Sequence, residues 1–265
     1  MVRILYTNNL IRFINLVVLF KGKSSVGNSL LHSRSAFHAT QSASSITKDC
    51  QVGKYAYRDN YGQEKRLTVV DTPGFFDTQP GITNDVVERR IASQIFDMTA
   101  PGVHAFLIVI RIGRFTPEEK NTVNFIRHIF GADAVRYCIV IFTYEDQLEE
   151  GQSLDNFIST SPELRQLVND CGGRKFAINN KFSGQSLTQK TNQLIEMINA
   201  MIKNNQGTYY TNAEYQRIER QRQEAERKRK EEEERKKKAE QDAIIARVRA
   251  KFYFSMSLQV FCFVF

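Results

Sequence analysis

Three short groups of residues carry chemistry that an ordinary loop does not need. Gly22-Lys23-Ser24-Ser25 opens a helical stretch that runs from Ser25 to Leu31. In a phosphate-binding loop, a lysine here neutralises β- and γ-phosphate charge and the serine hydroxyl binds magnesium. Backbone amides at the helix start add further donors. A basic turn arising by chance fits the same three residues. Asp71-Thr72-Pro73-Gly74 follows the apolar run Leu67–Val70. A carboxylate at a strand's end can hold magnesium through its water shell, and the glycine amide can meet a terminal phosphate. Asp, Pro and Gly also end strands in plain turns. Thr143-Tyr144-Glu145-Asp146 follows the run Tyr137–Phe142. A carboxylate there can accept from guanine N1–H and the 2-amino group, which adenine lacks; the other reading is an Asp that caps a helix before Leu148.

Each group alone is ambiguous, but their order is not. Gly-Lys-Ser, then Thr47, then Asp-Thr-Pro-Gly, then Thr-x-x-Asp each fall in a loop or at the end of an apolar run. That succession points to nucleotide binding. One position disagrees. The full phosphate-loop pattern needs a glycine five residues before Gly22, where Val17 stands. A β-branched residue is strongly disfavoured at positive φ, so Val17 cannot do that glycine's work. Either the loop is several residues short or strand residues have replaced it.

These groups need a scaffold that brings strand ends together. Apolar runs bounded by turn residues are Ile14–Phe20, Leu67–Val70, Ala105–Ile110 and Tyr137–Phe142, with Lys175–Ile178 weaker. Short continuous runs of this kind suit strands buried on both faces of a parallel sheet. Helical patterns lie between them at Asp85–Met98, Pro117–Phe130 and Thr188–Lys203. Thr116-Pro117-Glu118-Glu119 is a good helix start, with a cap, a proline and acids in the first turn. Val52–Tyr57 joins Leu67 through Asp59-Asn60-Tyr61-Gly62 and reads as an antiparallel hairpin. The expected fold is α/β: doubly wound, with a mostly parallel sheet, one antiparallel hairpin strand and a site at the carboxyl ends of the strands.

Composition narrows the class. The chain has 265 residues, 42% of them hydrophobic and 25% charged, which excludes wholesale disorder and collagen-like repeats. No run of 18 apolar residues predicts a bilayer-spanning helix. Cys50, Cys138, Cys171 and Cys262 lie far apart, which argues against a disulfide scaffold or zinc ribbon and suits a reducing, cytoplasmic setting. Half of the net charge of +8 comes from Thr211–Lys251, with 14 Lys/Arg against 10 Asp/Glu.

Three stretches resemble the GTPase-of-immunity-associated-protein family, also called the immunity-associated nucleotide-binding family, with its avirulence-induced-type G domain. They are Gly22–Leu31 with Ser45-Ile46-Thr47-Lys48, then Leu67–Thr78, then Pro101–Glu119. The last resembles the box that separates this family from other small GTPases. Cys171-Gly172-Gly173-Arg174 and Asn179-Asn180-Lys181 resemble its guanine-side loop. The resemblance runs from about Gly22 to Tyr215 and implies a P-loop GTPase-like fold that binds GTP or GDP with Mg2+. It places Gly22, Lys23, Ser24 and Ser25 at the phosphates, and Ser24, Thr47 and Asp71 at magnesium. Asp71 and Gly74 would sense the γ-phosphate, and Thr143, Asp146, Asn179 and Asn180 would form the guanine side. Phe75 stands where a Ras-like catalytic glutamine would follow Gly74, and the family is similar in lacking it. Family members are thought to oligomerise across the nucleotide face, which makes Arg114 a candidate catalytic residue in trans; a surface arginine near a helix start is the plain alternative.

The remaining segments need separate readings. Residues 22–208 form the expected guanine-nucleotide-binding domain, and residues 1–21 an atypical segment with the first strand. Residues 209–251 read as a charged helix in which each of Glu231–Glu234 has a base four residues on. Its apolar residues are sparse for a heptad seam, so a solvated single helix and a weak coiled coil both stand. Interleaved acids and few aromatics argue against nucleic acid. Residues 252–265 are apolar and follow Arg247, Arg249 and Lys251, an order that suits shallow membrane contact or a chain end outside the folded design. The resulting expectation is a cytoplasmic guanine-nucleotide switch, slow in hydrolysis and oligomeric. The alternative is a nucleotide-incompetent scaffold of the same fold that acts through its tail or a membrane-contacting end.

Overall fold

The computed structural model describes residues 13–19, 23–33, 35–37, 49–58, 62–73, 84–113, 115, 122–179, 181 and 183–263. Up to Gln216 they form one unit, built on a six-stranded sheet. The strands are β1 (Phe13–Leu19), β2 (Gln51–Arg58), β3 (Glu64–Asp71), β4 (Ala105–Arg111), β5 (Cys138–Thr143) and β6 (Lys175–Ile178). The helices are α1 (Lys23–Leu30), α2 (Asn84–Thr99), α3 (Thr122–Phe130), α4 (Leu154–Ser159), α5 (Pro162–Asp170), α6 (Gly184–Asn204) and α7 (Ala213–Phe263). Each apolar run singled out in the sequence supplies a strand, except that Tyr137 ends a 3-10 turn before β5 begins at Cys138. Phe20, Pro117 and the hairpin tip Asp59–Tyr61 lie outside the described residues.

Strand order is β2-β3-β1-β4-β5-β6, all parallel except β2, which runs antiparallel to β3. β4 and β5 are buried on both faces, which explains their unbroken hydrophobicity. Side chains alternate across the sheet, so Ala105, Leu107 and Val109 join a core with Val26, Leu30, Leu194 and Ile198. Phe106 belongs to the opposite face and meets Phe130 of α3, ring centroids 4.7 Å apart. The edge strand β2 instead alternates exposed with half-buried residues, as one-sided packing requires. Because β1 lies between β3 and β4, the winding reverses direction there, and the crevice beyond its carboxyl end is where such sheets bind ligands.

The segment entering α7 is stitched to this unit by aromatic packing. Tyr210 forms an isolated antiparallel bridge with Val103, and its hydroxyl donates to the Phe130 carbonyl. The Tyr215 phenol lies 2.7 Å from the Thr99 hydroxyl, which itself donates to Ile95 O. A β-carbon at Gly102 would come within 2.2 Å of Tyr210 O, so only glycine permits this approach.

From Arg217 onward the chain forms a second unit, the greater part of α7. It carries i,i+4 ion pairs such as Lys228–Glu224 at 2.8 Å and Lys236–Glu232 at 2.7 Å. Exposed pairs of this kind each add little, but many in series support a helix with no packed face. Among the described residues no helix is long and apolar enough to cross a membrane.

Candidate functional site

Two predicted residues meet at the crevice beyond β1. Ser24 lies in the first turn of α1, and Asp71 is the last residue of β3, paired in register with Val18 of β1. The Ser24 hydroxyl donates to Asp71 Oδ2 at 2.6 Å, and Asp71 is fully buried. A hydroxyl and a carboxylate oxygen so close, at a helix start, form a hard-oxygen pair of the kind Mg2+ uses. That ion binds through one or two side chains plus substrate phosphates and water rather than in an all-protein cage. The residues present therefore fit the ion.

The connection ahead of them is short in sequence. Val17 pairs with Val70 on one side and Phe106 on the other, inside the sheet. The strand ends at Leu19 and α1 begins at Lys23, so three residues make the connection where the full pattern has six before its lysine. Val17–Leu19, which the full pattern would place in the loop, belong to β1 instead.

The Thr143–Asp146 group forms at the other side of the same sheet end. Thr143 closes β5; its hydroxyl donates to Ile110 O at 3.3 Å and its carbonyl accepts from Ile112 N at 3.0 Å. Those bonds hold the ends of β4 and β5 together and leave the buried Thr143 side chain facing strand rather than solvent. Tyr144 takes a left-handed conformation, φ 61°, and reverses the chain into the 3-10 turn Glu145–Gln147. This turn presents Asp146 at the surface. Asp146 Oδ2 lies 2.7 Å from Lys181 Nζ, a contact that holds the Asp146 pKa below its usual value and raises that of Lys181. Asn179 accepts from the Lys181 amide at 2.9 Å, so its side chain shapes the loop that delivers Lys181.

Gly22, Thr47, Gly74, Phe75, Arg114 and Asn180 lie outside the described residues, while Lys23 and Ser25 occupy the first turn of α1. Cys171–Arg174 precedes the amino end of β6, and Asn179 follows its carboxyl end. Gly172 and Gly173, at φ 65° and 75°, end α5 there, and Arg174 donates from Nε to Cys138 O at 2.8 Å at the amino end of β5. Arg111, Glu145 and Lys190 were not singled out from sequence, because their partners lie on other elements. Arg111 places its guanidinium 4.2 Å from the Tyr144 ring centre, and Lys190 Nζ donates to Glu145 Oε1 at 2.9 Å.

The model of the AIG1 family matches residues 16–230, most of the chain and all of this site. The chain belongs to the AIG1 family. It is 33% identical over 193 residues to GTPase IMAP family member 8 of Homo sapiens, covering 72% of this chain and 27% of that protein. Immune-associated nucleotide-binding protein 10 of Arabidopsis thaliana is 34% identical over 206 residues, covering 75% of this chain and 42% of that one. The chain thus spans less than half the length of these two relatives. Among solved structures, Toc33 of Arabidopsis thaliana in complex with Mg2+ and GMPPNP superposes with a TM-score of 0.52 at 15% identity, covering 73% of this chain and 86% of that one. A dimerisation-deficient Toc33 mutant gives the same TM-score at 17% identity, covering 72% and 85%. This AIG1-family chain therefore has the P-loop GTPase fold expected from its sequence.

Proposed function

We propose that this AIG1-family chain is a guanine-nucleotide switch that binds GTP and GDP with Mg2+ and hydrolyses GTP slowly. The observation carrying this reading is that the Ser24–Asp71 pair and Asp146 stand at the carboxyl ends of β3 and β5, at one end of one sheet. Lys23 would neutralise phosphate charge, Ser24, Thr47 and Asp71 would hold the ion, Gly74 would sense the γ-phosphate, and Asp146 would read the base. Mg2+ supplies positive charge on the phosphate oxygens. Phe75 can neither donate to nor accept from a water, so the isolated chain is slow, and Arg114 of a second copy would supply the missing charge across a shared nucleotide face. Toc33, which shares this fold and of which a dimerisation-deficient mutant is known, supports this oligomeric reading. Buried thiols at Cys138 and Cys171, outside any disulfide, suit a cytoplasmic setting. Titration with a fluorescent GTP analogue, with ATP as competitor, tests the reading; equal competition by ATP would remove it.

Val17 inside the sheet favours a second reading, a scaffold that keeps the fold without nucleotide and acts through α7. The basic-then-apolar order of residues 247–263 would bring that helix to a membrane surface. Flotation with liposomes, with and without residues 252–265, tests that contact.

A further inference from the structure

We propose that Lys190 of α6 is a positioning residue for the guanine reader: it locks the turn that carries Asp146 against the end of β6. The proposal rests on the guanine-nucleotide reading above and adds to it the residue that sets its selectivity.

The turn cannot hold its own shape. Glu145–Gln147 is a single 3-10 turn closed by Gln147 N to Tyr144 O at 2.9 Å and Leu148 N to Glu145 O at 3.3 Å. It is entered through a tyrosine at positive φ, a conformation that persists only where surroundings impose it. The surroundings are three cations from three elements, one for each successive residue. Arg111 at the end of β4 covers the Tyr144 ring, Lys190 takes Glu145, and Lys181 takes Asp146.

These three holds are not equivalent. Lys181 is 75% exposed, and it grips the very carboxylate that the base must use. Lys190 grips the neighbour and leaves Asp146 free. Its side chain is 26% exposed and that of Glu145 31%, so this pair is less screened by solvent. Lys190 Nζ also donates to Ala177 O at 3.4 Å and lies 5.6 Å from the Phe176 ring centre. It therefore ties the turn to β6, the strand that leads into the Asn179–Lys181 loop. Glu145 Oε2 is buried without a hydrogen-bond partner among the described residues, so the Oε1 contact carries the hold on this side chain.

Selectivity is the property this should control. An Asp146 carboxylate meeting N1–H and the 2-amino group together needs both oxygens aimed at once. A tilted turn loses one contact first. Inosine nucleotide keeps N1–H and lacks the 2-amino group, so the GDP-to-IDP affinity ratio reports the aim of Asp146, whereas general weakening lowers both affinities alike.

The test uses the full chain with Lys190→Ala, Lys190→Arg and Glu145→Gln, and competition between GDP, IDP and ADP followed by ligand-observed NMR. Lys190→Ala and Glu145→Gln should lower the GDP-to-IDP ratio about tenfold, as for loss of one charge-assisted hydrogen bond, and Lys190→Arg should restore part of it. Hydrogen exchange at the Gln147 and Leu148 amides should quicken in Lys190→Ala without nucleotide. Unchanged exchange, or an unchanged ratio in folded variants, overturns the proposal while leaving guanine binding in place. A wild-type chain that fails to prefer GDP over both IDP and ADP overturns the guanine reading and this role with it.

Discussion

The Ser24 hydroxyl donates to Asp71 Oδ2 across 2.6 Å, joining the first turn of α1 to the last residue of β3. Ser24→Ala leaves a fully buried carboxylate short of one donor, at a cost of roughly 1–3 kcal/mol. Urea unfolding of the variant should show that loss. Nucleotide affinity should also lose most of its dependence on Mg2+; an affinity that still responds to Mg2+ as in the wild type would remove Ser24 from the metal site.

With Val17 paired into the sheet, the connection from Leu19 to Lys23 lacks several backbone amides that a full phosphate loop aims at its ligand. Charge-assisted hydrogen bonds to phosphate are worth roughly 1.5–3 kcal/mol each. The chain should therefore bind GTP more weakly than micromolar. Inserting a Gly-rich segment between Leu19 and Gly22 should tighten binding by about two orders of magnitude or more, read by titration with a fluorescent analogue.

Asp146 is held ionised by Lys181, its pKa lowered chiefly by that hydrogen bond. Base recognition should accordingly not fade as pH falls through the mildly acidic range. Asp146→Asn replaces a pair of acceptors with one acceptor and one donor. GTP should weaken and xanthine nucleotide should partly recover affinity, measured by competition against one labelled ligand.

Hydrolysis should rise with protein concentration in the loop-restored variant. Arg114 follows Arg111, the last residue of β4, by three positions in the sequence. An arginine supplied in trans is worth about 10³–10⁵ in rate in well-studied GTPases. Arg114→Ala should abolish the concentration dependence without weakening binding; specific activity that stays constant on dilution rules the mechanism out.

Burial lowers the His104 pKa from 6.5 to about 4, with the ring edge-on to Tyr209. The unfolded chain binds the proton more readily, so this contribution is complete above pH 6.5 and is lost as pH falls towards 4. The loss is about 3 kcal/mol over that window. Urea unfolding across the window should show it, and His104→Phe should flatten the slope.

The sequence by itself was enough for the strands and for setting Ser24 and Asp71 beside a helix start and a strand end. The apolar runs became strands, and in Phe106–Ile110 and Ile139–Phe142 burial on both faces leaves a local, contiguous signal. Ser24, Asp71 and Asp146 were legible because each sits beside its own strand end or helix start. Tertiary structure decided what held them. Lys190 reaches Glu145 across 45 residues, and Tyr215 meets Thr99 across 116. No local spacing encodes either contact, since each depends on where the winding returns the chain. The Cys171–Arg174 loop shows the same limit: it lies eight residues before Asn179, yet β6 carries the two to opposite ends of the sheet. The length of the phosphate connection was likewise decided in three dimensions, when pairing with Val70 and Phe106 claimed Val17 for the sheet.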